Sequence, residues 1–286
     1  MKVVVTGSKG QLGTKLKELS LQYKNYEFLF VDIEEIDLSS KSQIGKLFEN
    51  KIDLVINCAA YTAVDKAEDD FKNAELINSL APAYIAEKCQ QNNAKFIHIS
   101  TDYVFDGLSG TPYKEGSQTN PQSVYGKTKL DGEIKVLSNN PEAIIIRTSW
   151  LYSEHGSNFV KTILRLAKEK DELRIVSDQQ GSPTYAGDLA ETIMLIVSKF
   201  SDKKEWHPGI YHYSNSGICS WYEFAVEIIN ISGDKIPIIP VASNEFPSKV
   251  KRPAYSVLDK SKIISVFNFN ILDWKTSLKQ MMQNRL

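Results

Sequence analysis

Cysteine is scarce in this chain of 286 residues: Cys58, Cys89 and Cys219 are odd in number and stand far apart. A disulfide framework needs pairs, so these read as reduced thiols in a reducing compartment. Histidine is nearly as rare, and His98, His155, His207 and His212 show no metal-ligand spacing. Core or surface positions are the ordinary reading for each, and no metal ligand is assigned. An excess of either charge is missing too. Lys and Arg number 34 against 35 Asp and Glu, a net charge of −1 that leaves no basic field for nucleic acid. No apolar run approaches the roughly 20 residues of a bilayer-spanning helix, so no membrane partner is expected. The start, MKVVVTGSKG, passes straight into a strand pattern without a cationic signal region or cleavage site. A soluble, cytoplasmic protein of one large domain or two unequal ones is the expectation.

What the chain does have is a regular alternation of short apolar runs and helical patterns. Residues Lys2–Thr6 form a β-branched run that ends in Gly7-Ser8-Lys9-Gly10-Gln11-Leu12-Gly13, after which Leu12, Leu16 and Leu19 mark a helix. Glycines at such a turn let backbone N–H groups approach a diphosphate at the helix N-terminus. A second strand, 27–33, carries Asp32 near its end. It lies about 20 residues past the last glycine, the distance at which an acid meets the ribose hydroxyls of adenosine. Lys9 pulls the other way, since a cation in the glycine turn could pair with a 2′-phosphate.

Ser40 and Gln43 predict a capped helix through Phe48. Strands follow at 53–60, 95–100 and 142–147, separated by a helical region at 67–91 interrupted near Pro82. The stretch 107–122 is rich in Gly, Pro, Ser and Thr and long for a connection, a mark of functional loops. Five almost wholly apolar strands alternating with helices predict a doubly wound parallel sheet, the Rossmann arrangement, over residues 1–150. Beyond Trp150 helices are expected at 159–167, 186–199 and 220–231 and a strand at Gly209–Tyr213. The sequence DQQGSPT at 178–184 reads as a turn, and two short helices close the chain at 260–267 and 273–282. Residues 151–286 are expected to be mainly a smaller, partly discontinuous substrate lobe, with 186–213 returning to the first domain.

Between strands four and five lies Tyr125-Gly126-Lys127-Thr128-Lys129, after Pro121 and Ser123 and ahead of Leu130, Ile134 and Leu137. It reads as the start of an amphipathic helix. Residues four apart share a helix face, so the Tyr125 hydroxyl and the Lys129 ammonium converge. A neighbouring cation is expected to lower the phenol pKa and fit it for proton transfer.

Taken together, the glycine turn, Asp32, Ser100-Thr101 and Tyr125 with Lys129 resemble the extended short-chain dehydrogenase/reductases. Within them, YTAVDKAE at 61–68, STDYVFDG at 100–107, VYGKTK at 124–129, RTSWLY at 147–152, DQQGSPT and Arg252-Pro253 resemble the dTDP-4-dehydrorhamnose reductase family. The resemblance covers nearly the whole chain. It implies reduction of a dTDP-4-dehydro-6-deoxy-L-mannose to dTDP-L-rhamnose with NADH or NADPH. Tyr125 would then be the general acid and Lys129 its partner at the nicotinamide ribose, with Thr101 hydrogen-bonded to the reacting carbonyl. Gly7, Gly10, Gln11, Leu12 and Gly13 would carry the pyrophosphate and Asp32 and Ile33 the adenosine, while Ala59, Ala60 and Tyr61 line the cofactor channel. Val64, Asp102 and Trp150 would face the sugar, and Arg252 the diphosphate. The resemblance also implies Mg²⁺ in some members, bridging subunits, and a homodimer as partner; no carboxylate cluster in the sequence is assignable to that ion. Two other readings stay open. One is a non-catalytic NADP-binding regulatory subunit like that of methionine adenosyltransferase. The other is a nucleotide-sugar epimerase or dehydratase, which usually needs an acid–base carboxylate pair beside the threonine, where Asp102-Tyr103 supplies one acid.

Overall fold

A computed structural model describes residues 1–245 and 248–283. The chain begins β1 (Lys2–Thr6), α1 (Gln11–Ser20), β2 (Glu27–Val31), α2 (Lys41–Leu47), β3 (Leu54–Asn57), α3 (Val64–Ala67) and α4 (Phe71–Glu75). It continues α5 (Ala81–Gln91), β4 (Lys95–Thr101), α6 (Val124–Asn139), β5 (Ile144–Thr148), β6 (Leu151–Tyr152), α7 (Phe159–Glu169) and β7 (Leu173–Val176). Then come β8 (Gln180–Gly181), β9 (Thr184–Tyr185), α8 (Ala186–Lys203), β10 (Gly209–Tyr213), β11 (Cys219–Ser220) and α9 (Trp221–Ser232). The last are β12 (Ile238–Val241), α10 (Ser261–Phe267) and α11 (Trp274–Gln283).

The main sheet has six strands in the order β10-β5-β4-β3-β1-β2, every neighbouring pair parallel. This is the expected doubly wound sheet, with β10 added at the far edge. β1 lies between β2 and β3, so the direction of winding reverses there and opens a crevice beyond the strands' carboxyl ends. Both faces are covered. Val3, Val5, Leu54, Ile56, Ile97, Ile144 and Ile146 pack with Leu12 and Leu16 of α1 and Leu189 and Ile193 of α8. Val4, Val55, Phe96 and Ile145 face the other way, against Ile44 of α2, Ile85 of α5 and Val136 of α6. Among the described residues no helix is long and apolar enough to cross a membrane.

Past β5 the chain builds a second core around Tyr152, Val160, Ile163, Phe224, Ile228, Trp274 and Leu278. The pieces that leave this core are α8, packed on α1, β10, paired to β5, and α10, whose Ile263 and Phe267 join the first core. The segment read as a turn at 178–184 instead contributes two short strands, β8 paired to β11 and β9 to β6. Their pairing partners come from distant sequence, which local turn chemistry cannot report. The break expected near Pro82 falls just ahead of it. Leu76–Leu80 is a π turn in which the Ala81 N–H donates to the Leu76 carbonyl, and Pro82 sits in the first turn of α5, where its missing N–H costs nothing.

α6 corrects the sequence reading most. Ile134, expected on its apolar face, is 59% exposed, and Leu130 and Leu137 lie only partly buried along its flanks. The inward face is Lys129, Gly132, Glu133 and Val136. Gly132 permits close approach, since a Cβ there would stand 2.1 Å from the Asn78 carbonyl oxygen. Glu133 is 1% exposed and receives Arg147 of β5 through Nε (2.9 Å) and Nη2 (2.6 Å), with Ser100 Oγ donating at 2.5 Å. Arg147 in turn donates to the Glu115 carbonyl at 3.4 Å and lies over the Phe105 ring. These contacts tether the long loop before α6 as well as α6 itself. Removing one partner of a buried ion pair strands the other charge, so Glu133→Ala is expected to cost about 3–5 kcal/mol in urea unfolding. An unchanged unfolding midpoint would show that the pair carries no such weight.

Candidate active site

The crevice holds a cleft of about 830 Å³. Its floor starts at the glycine turn. Gly7 has φ +66, and a Cβ there would meet the Ala59 nitrogen at 2.6 Å; a Cβ on Gly13 would stand 2.3 Å from the Gly7 oxygen. These close approaches leave the first turn of α1 open, with no side chain capping it. The fit for an anionic diphosphate is good, because N-terminal N–H groups lack intrahelical partners and carry the positive end of the dipole. At one end of the cleft Asp32 accepts the Lys9 backbone N–H at 2.8 Å, and the Lys9 ammonium pairs with exposed Glu34, also at 2.8 Å.

The walls collect every cleft residue expected from sequence except one. Gly7, Gly10, Gln11, Leu12, Gly13, Asp32, Ile33, Ala59, Ala60, Tyr61, Val64, Thr101, Asp102, Tyr125, Lys129 and Trp150 all line it. Arg252 lies instead in an adjoining recess of about 110 Å³ and shares Tyr103 with the cleft. Its guanidinium donates to Tyr103 Oη at 3.2 Å and forms an ion pair with Asp65. The Gln11 side chain is committed elsewhere, accepting from Ser153 Oγ and Asn158 Nδ2 of the second lobe at 3.1 and 2.9 Å. Ile36, Asp37 and Leu38, in the turn after β2, also line the cleft and carry no motif that sequence reasoning could use.

Tyr125 and Lys129 reach the cleft because α6 starts where it does. Ser123 Oγ caps the helix by accepting the Gly126 N–H at 3.0 Å, and Gly126 lets that turn press on the Tyr103 carbonyl. The Tyr125 ring stands edge-on to Tyr103, with centroids 5.4 Å apart. Thr101 ends β4, its hydroxyl donating to Asp102 Oδ1 at 3.0 Å and accepting the Tyr103 N–H at 3.2 Å. Asp102 Oδ2 is buried without a hydrogen-bond partner. Burial raises that carboxyl to about 6, against the opposing pull of the Thr101 hydroxyl.

The expected lowering of the Tyr125 pKa by Lys129 is not found. Burial pushes the half-buried phenol upward; the Thr101 hydroxyl opposes this, while Asp102 and Tyr103 add to it. Lys129 Nζ is anchored on the Ile99 carbonyl at 2.6 Å and is itself brought down to about 8 by burial, with Glu133 and then Cys58 opposing. A lysine near its own neutral point is a weak cation for its neighbour.

Behind the walls lie three buried residues that were not singled out, Asn57, His98 and Asn78. Asn78 accepts the Tyr61 N–H at 2.8 Å and donates to Thr128 Oγ1 of α6 at 3.2 Å, tying the channel wall to that helix. A polar residue inside an otherwise apolar parallel strand is the available signal for Asn57 and His98, because such strands are buried on both faces.

A family model described as "RmlD substrate binding domain" matches residues 1–286. A dTDP-4-dehydrorhamnose reductase of Aggregatibacter actinomycetemcomitans is 39% identical, over 98% of this chain and 98% of that one. The chain belongs to the RmlD family. Crystal structures of two proteins so titled share the fold. One, from Clostridium acetobutylicum, has a TM-score of 0.93 at 42% identity, covering 99% of both chains. The other, from Bacillus anthracis and in complex with NADP, has a TM-score of 0.91 at 37% identity, also over 99% of both. Among the described residues of this RmlD-family chain, no group of three or more His, Cys, Asp or Glu comes together to hold a metal ion. No Mg²⁺ site is therefore assigned.

Trp150 enters the cleft from a left-handed backbone, φ 48, as the chain leaves β5. Its ring stacks on Trp221 at 3.5 Å and 11°, and Gly181 makes room for it, since a Cβ there would lie 2.5 Å from the indole. Trp221→Leu should remove the near-ultraviolet circular dichroism of the stacked indoles. It should cost about 0.5–1.5 kcal/mol beyond the lost apolar area, the usual worth of such a pair. A spectrum identical to that of the parent would mean that Trp150 is oriented without Trp221.

Proposed function

We propose that this chain is an NAD(P)H-dependent dTDP-4-dehydrorhamnose reductase, reducing the C4 keto group of dTDP-4-dehydro-6-deoxy-L-mannose to dTDP-L-rhamnose. The observation that carries the reading is the meeting of Thr101, Tyr125 and Lys129 in one cleft that begins at a glycine turn. The names of the full-length relatives support the substrate. The bound dinucleotide supplies the hydride. Gly7, Gly10, Gly13 and the first turn of α1, through Gln11 and Leu12, hold its pyrophosphate; Asp32 and Ile33 take the adenosine, and Ala59, Ala60 and Tyr61 flank the path between. Tyr125 donates a proton to the oxygen that becomes the C4 hydroxyl. Its raised pKa keeps the phenol protonated, and so able to act as an acid, through the neutral range. Thr101 polarises the same oxygen, Lys129 secures the ribose beside it, and Asp102, Val64 and Trp150 shape the sugar pocket. Arg252 offers its planar fork to the substrate diphosphate in exchange for Asp65.

NADPH and NADH are both accepted in this reading. Asp32 favours ribose hydroxyls, while Lys9 is held only by an exposed pair, worth little against a 2′-phosphate. The NADP complex of the Bacillus anthracis relative supports the phosphorylated cofactor.

The direct test is NADPH absorbance on addition of enzymatically prepared keto-sugar nucleotide; a flat trace with intact protein would reject the reading. Tyr125→Phe should lower turnover by about 10²–10⁴-fold with dinucleotide affinity retained, the share of a positioned general acid. Activity close to that of the parent would remove Tyr125 from the chemistry. Asp32→Ala should raise the NADPH-to-NADH ratio of kcat/KM by removing a repelling carboxylate. A ratio that does not move places Asp32 away from the adenosine.

A further inference from the structure

Three polar side chains form a row under the cleft floor. Thr6, Asn57 and His98 are register partners on the adjacent strands β1, β3 and β4, so their side chains share one face. All are buried, with exposures of 0, 1 and 0%, in strands whose neighbours are otherwise apolar. Unpaired, each would cost free energy in such surroundings. The row ends on the α6 side at Lys129, where His98 Nε2 lies 3.5 Å from Nζ.

We infer that this row is a positioning device for Lys129: Asn57 fixes the tautomer of His98 so that the ring presents an N–H, not a lone pair, to the lysine amine. The inference rests on the reductase reading only for the use made of that amine.

The tautomer follows from one backbone group. The Ala59 N–H, which can only donate, reaches Asn57 Oδ1 at 3.2 Å, and Thr6 Oγ1 donates to the same oxygen at 2.6 Å. The amide nitrogen of Asn57 therefore faces the ring, 3.0 Å from His98 Nδ1. An amide NH₂ is a donor, so Nδ1 must be the lone-pair nitrogen and a neutral ring carries its proton on Nε2. Burial, and then Lys129, hold His98 well below its ordinary pKa, which keeps the ring neutral. Facing that N–H, an ammonium at Nζ opposes donor to donor, whereas a neutral amine accepts. The Ile99 carbonyl at 2.6 Å takes one N–H in either state, more strongly from the ammonium, so it works against the loss of that proton.

The other charged or titratable groups around Lys129 are Cys58 beyond β3 and Tyr125 and Glu133 of α6. Glu133 is already committed to Arg147 of β5 and to Ser100. Burial is the first cause of the lysine's weakened hold on a proton; among the neighbouring groups, the His98 N–H at 3.5 Å adds to it. During turnover the Tyr125 O–H breaks and its proton goes to the substrate oxygen. Lys129 then returns a proton to the phenolate, and its N–H bond breaks. The amine left behind accepts the His98 N–H until cleft water restores the ammonium.

The test is made on the folded chain without substrate, by nitrogen NMR of the His98 ring and of the Lys129 amine. The parent ring should show its proton on Nε2 throughout the neutral range. Asn57→Asp offers Nδ1 a carboxylate, moves the ring proton there and turns Nε2 into an acceptor. His98→Leu removes the donor outright. In His98→Leu, Lys129 should titrate about one pH unit higher or more, equivalent to about 1.4 kcal/mol per unit; in Asn57→Asp the added carboxylate raises Lys129 by its charge alone, so there the position of the ring proton is the readout. The alkaline limb of kcat/KM should follow it upward. A parent ring protonated on Nδ1, or on both nitrogens, overturns the proposal, and that spectrum decides the matter even if neither variant folds. So does a Lys129 titration that stays in place in folded His98→Leu, as it would if His98 merely filled space. Failure to turn over keto-sugar nucleotide would sink the reductase reading and leave these spectra standing.

Discussion

Two charged side chains one turn apart, Lys129 and Glu133, are driven into the interior by α6, and each must be met by a partner there. Arg147 and Ser100 meet Glu133, and the Ile99 carbonyl meets Lys129. Apolar replacement of a buried ion pair is often neutral or better for stability. Stability alone is then a poor account of why the pair is present. Its geometric effect is to fix the rotation of α6 about its axis. With Glu133 fastened to β5, Lys129 is aimed at the end of β4 and Tyr125, one turn earlier, at the cleft. The same guanidinium reaches the Glu115 carbonyl, so the loop that leads into α6 is held by the interaction that orients it.

The cleft exists because the winding order reverses at β1, but its shape depends on the second lobe. Trp150 leaves β5 in a conformation that only surrounding contacts can hold, and Trp221 and Gly181 provide them. Gln11 bonds across from α1 to residues of the second lobe, and residues 250–258 return to the first, where the Val250 N–H donates to Asp65 and Tyr113 and Leu258 form a β-bridge. Arg252 belongs to this returning segment. Its pairing with Asp65, beside Val64, puts a cation at the rim of the cleft already matched to an anion. In the proposed reductase reading, the substrate diphosphate takes over that role.

Much of this was legible in the residues. Short β-branched runs ending in small or hydroxyl-bearing residues specify buried parallel strands, and Thr6, Asp32, Ala59 and Thr101 stand at or just past their ends because strand length sets where a run stops. Tyr125 and Lys129 come to line one cleft by helix geometry, four residues apart on α6. The inward face of α6 was not legible. Hydrophobic periodicity reports where apolar area is hidden, and this helix hides a lysine, a glutamate and a glycine while exposing Ile134. Burial of such groups depends on partners supplied by other strands, and no local pattern announces them.

By itself the sequence determined the sheet, its winding and the residue types gathered at its carboxyl edge, since each depends on neighbours within a few positions. Tertiary structure alone decided which groups those residues answer to. Asn57 meets His98 across 41 positions and Arg252 meets Asp65 across 187. Only the register of β3 on β4, and the return of the chain past Val250, bring such pairs within hydrogen-bond reach. The charge state of Lys129, the tautomer of His98 and the tilt of Trp150 depend on those meetings, because burial makes a proton's position answer to whichever donor or acceptor folding has placed beside it.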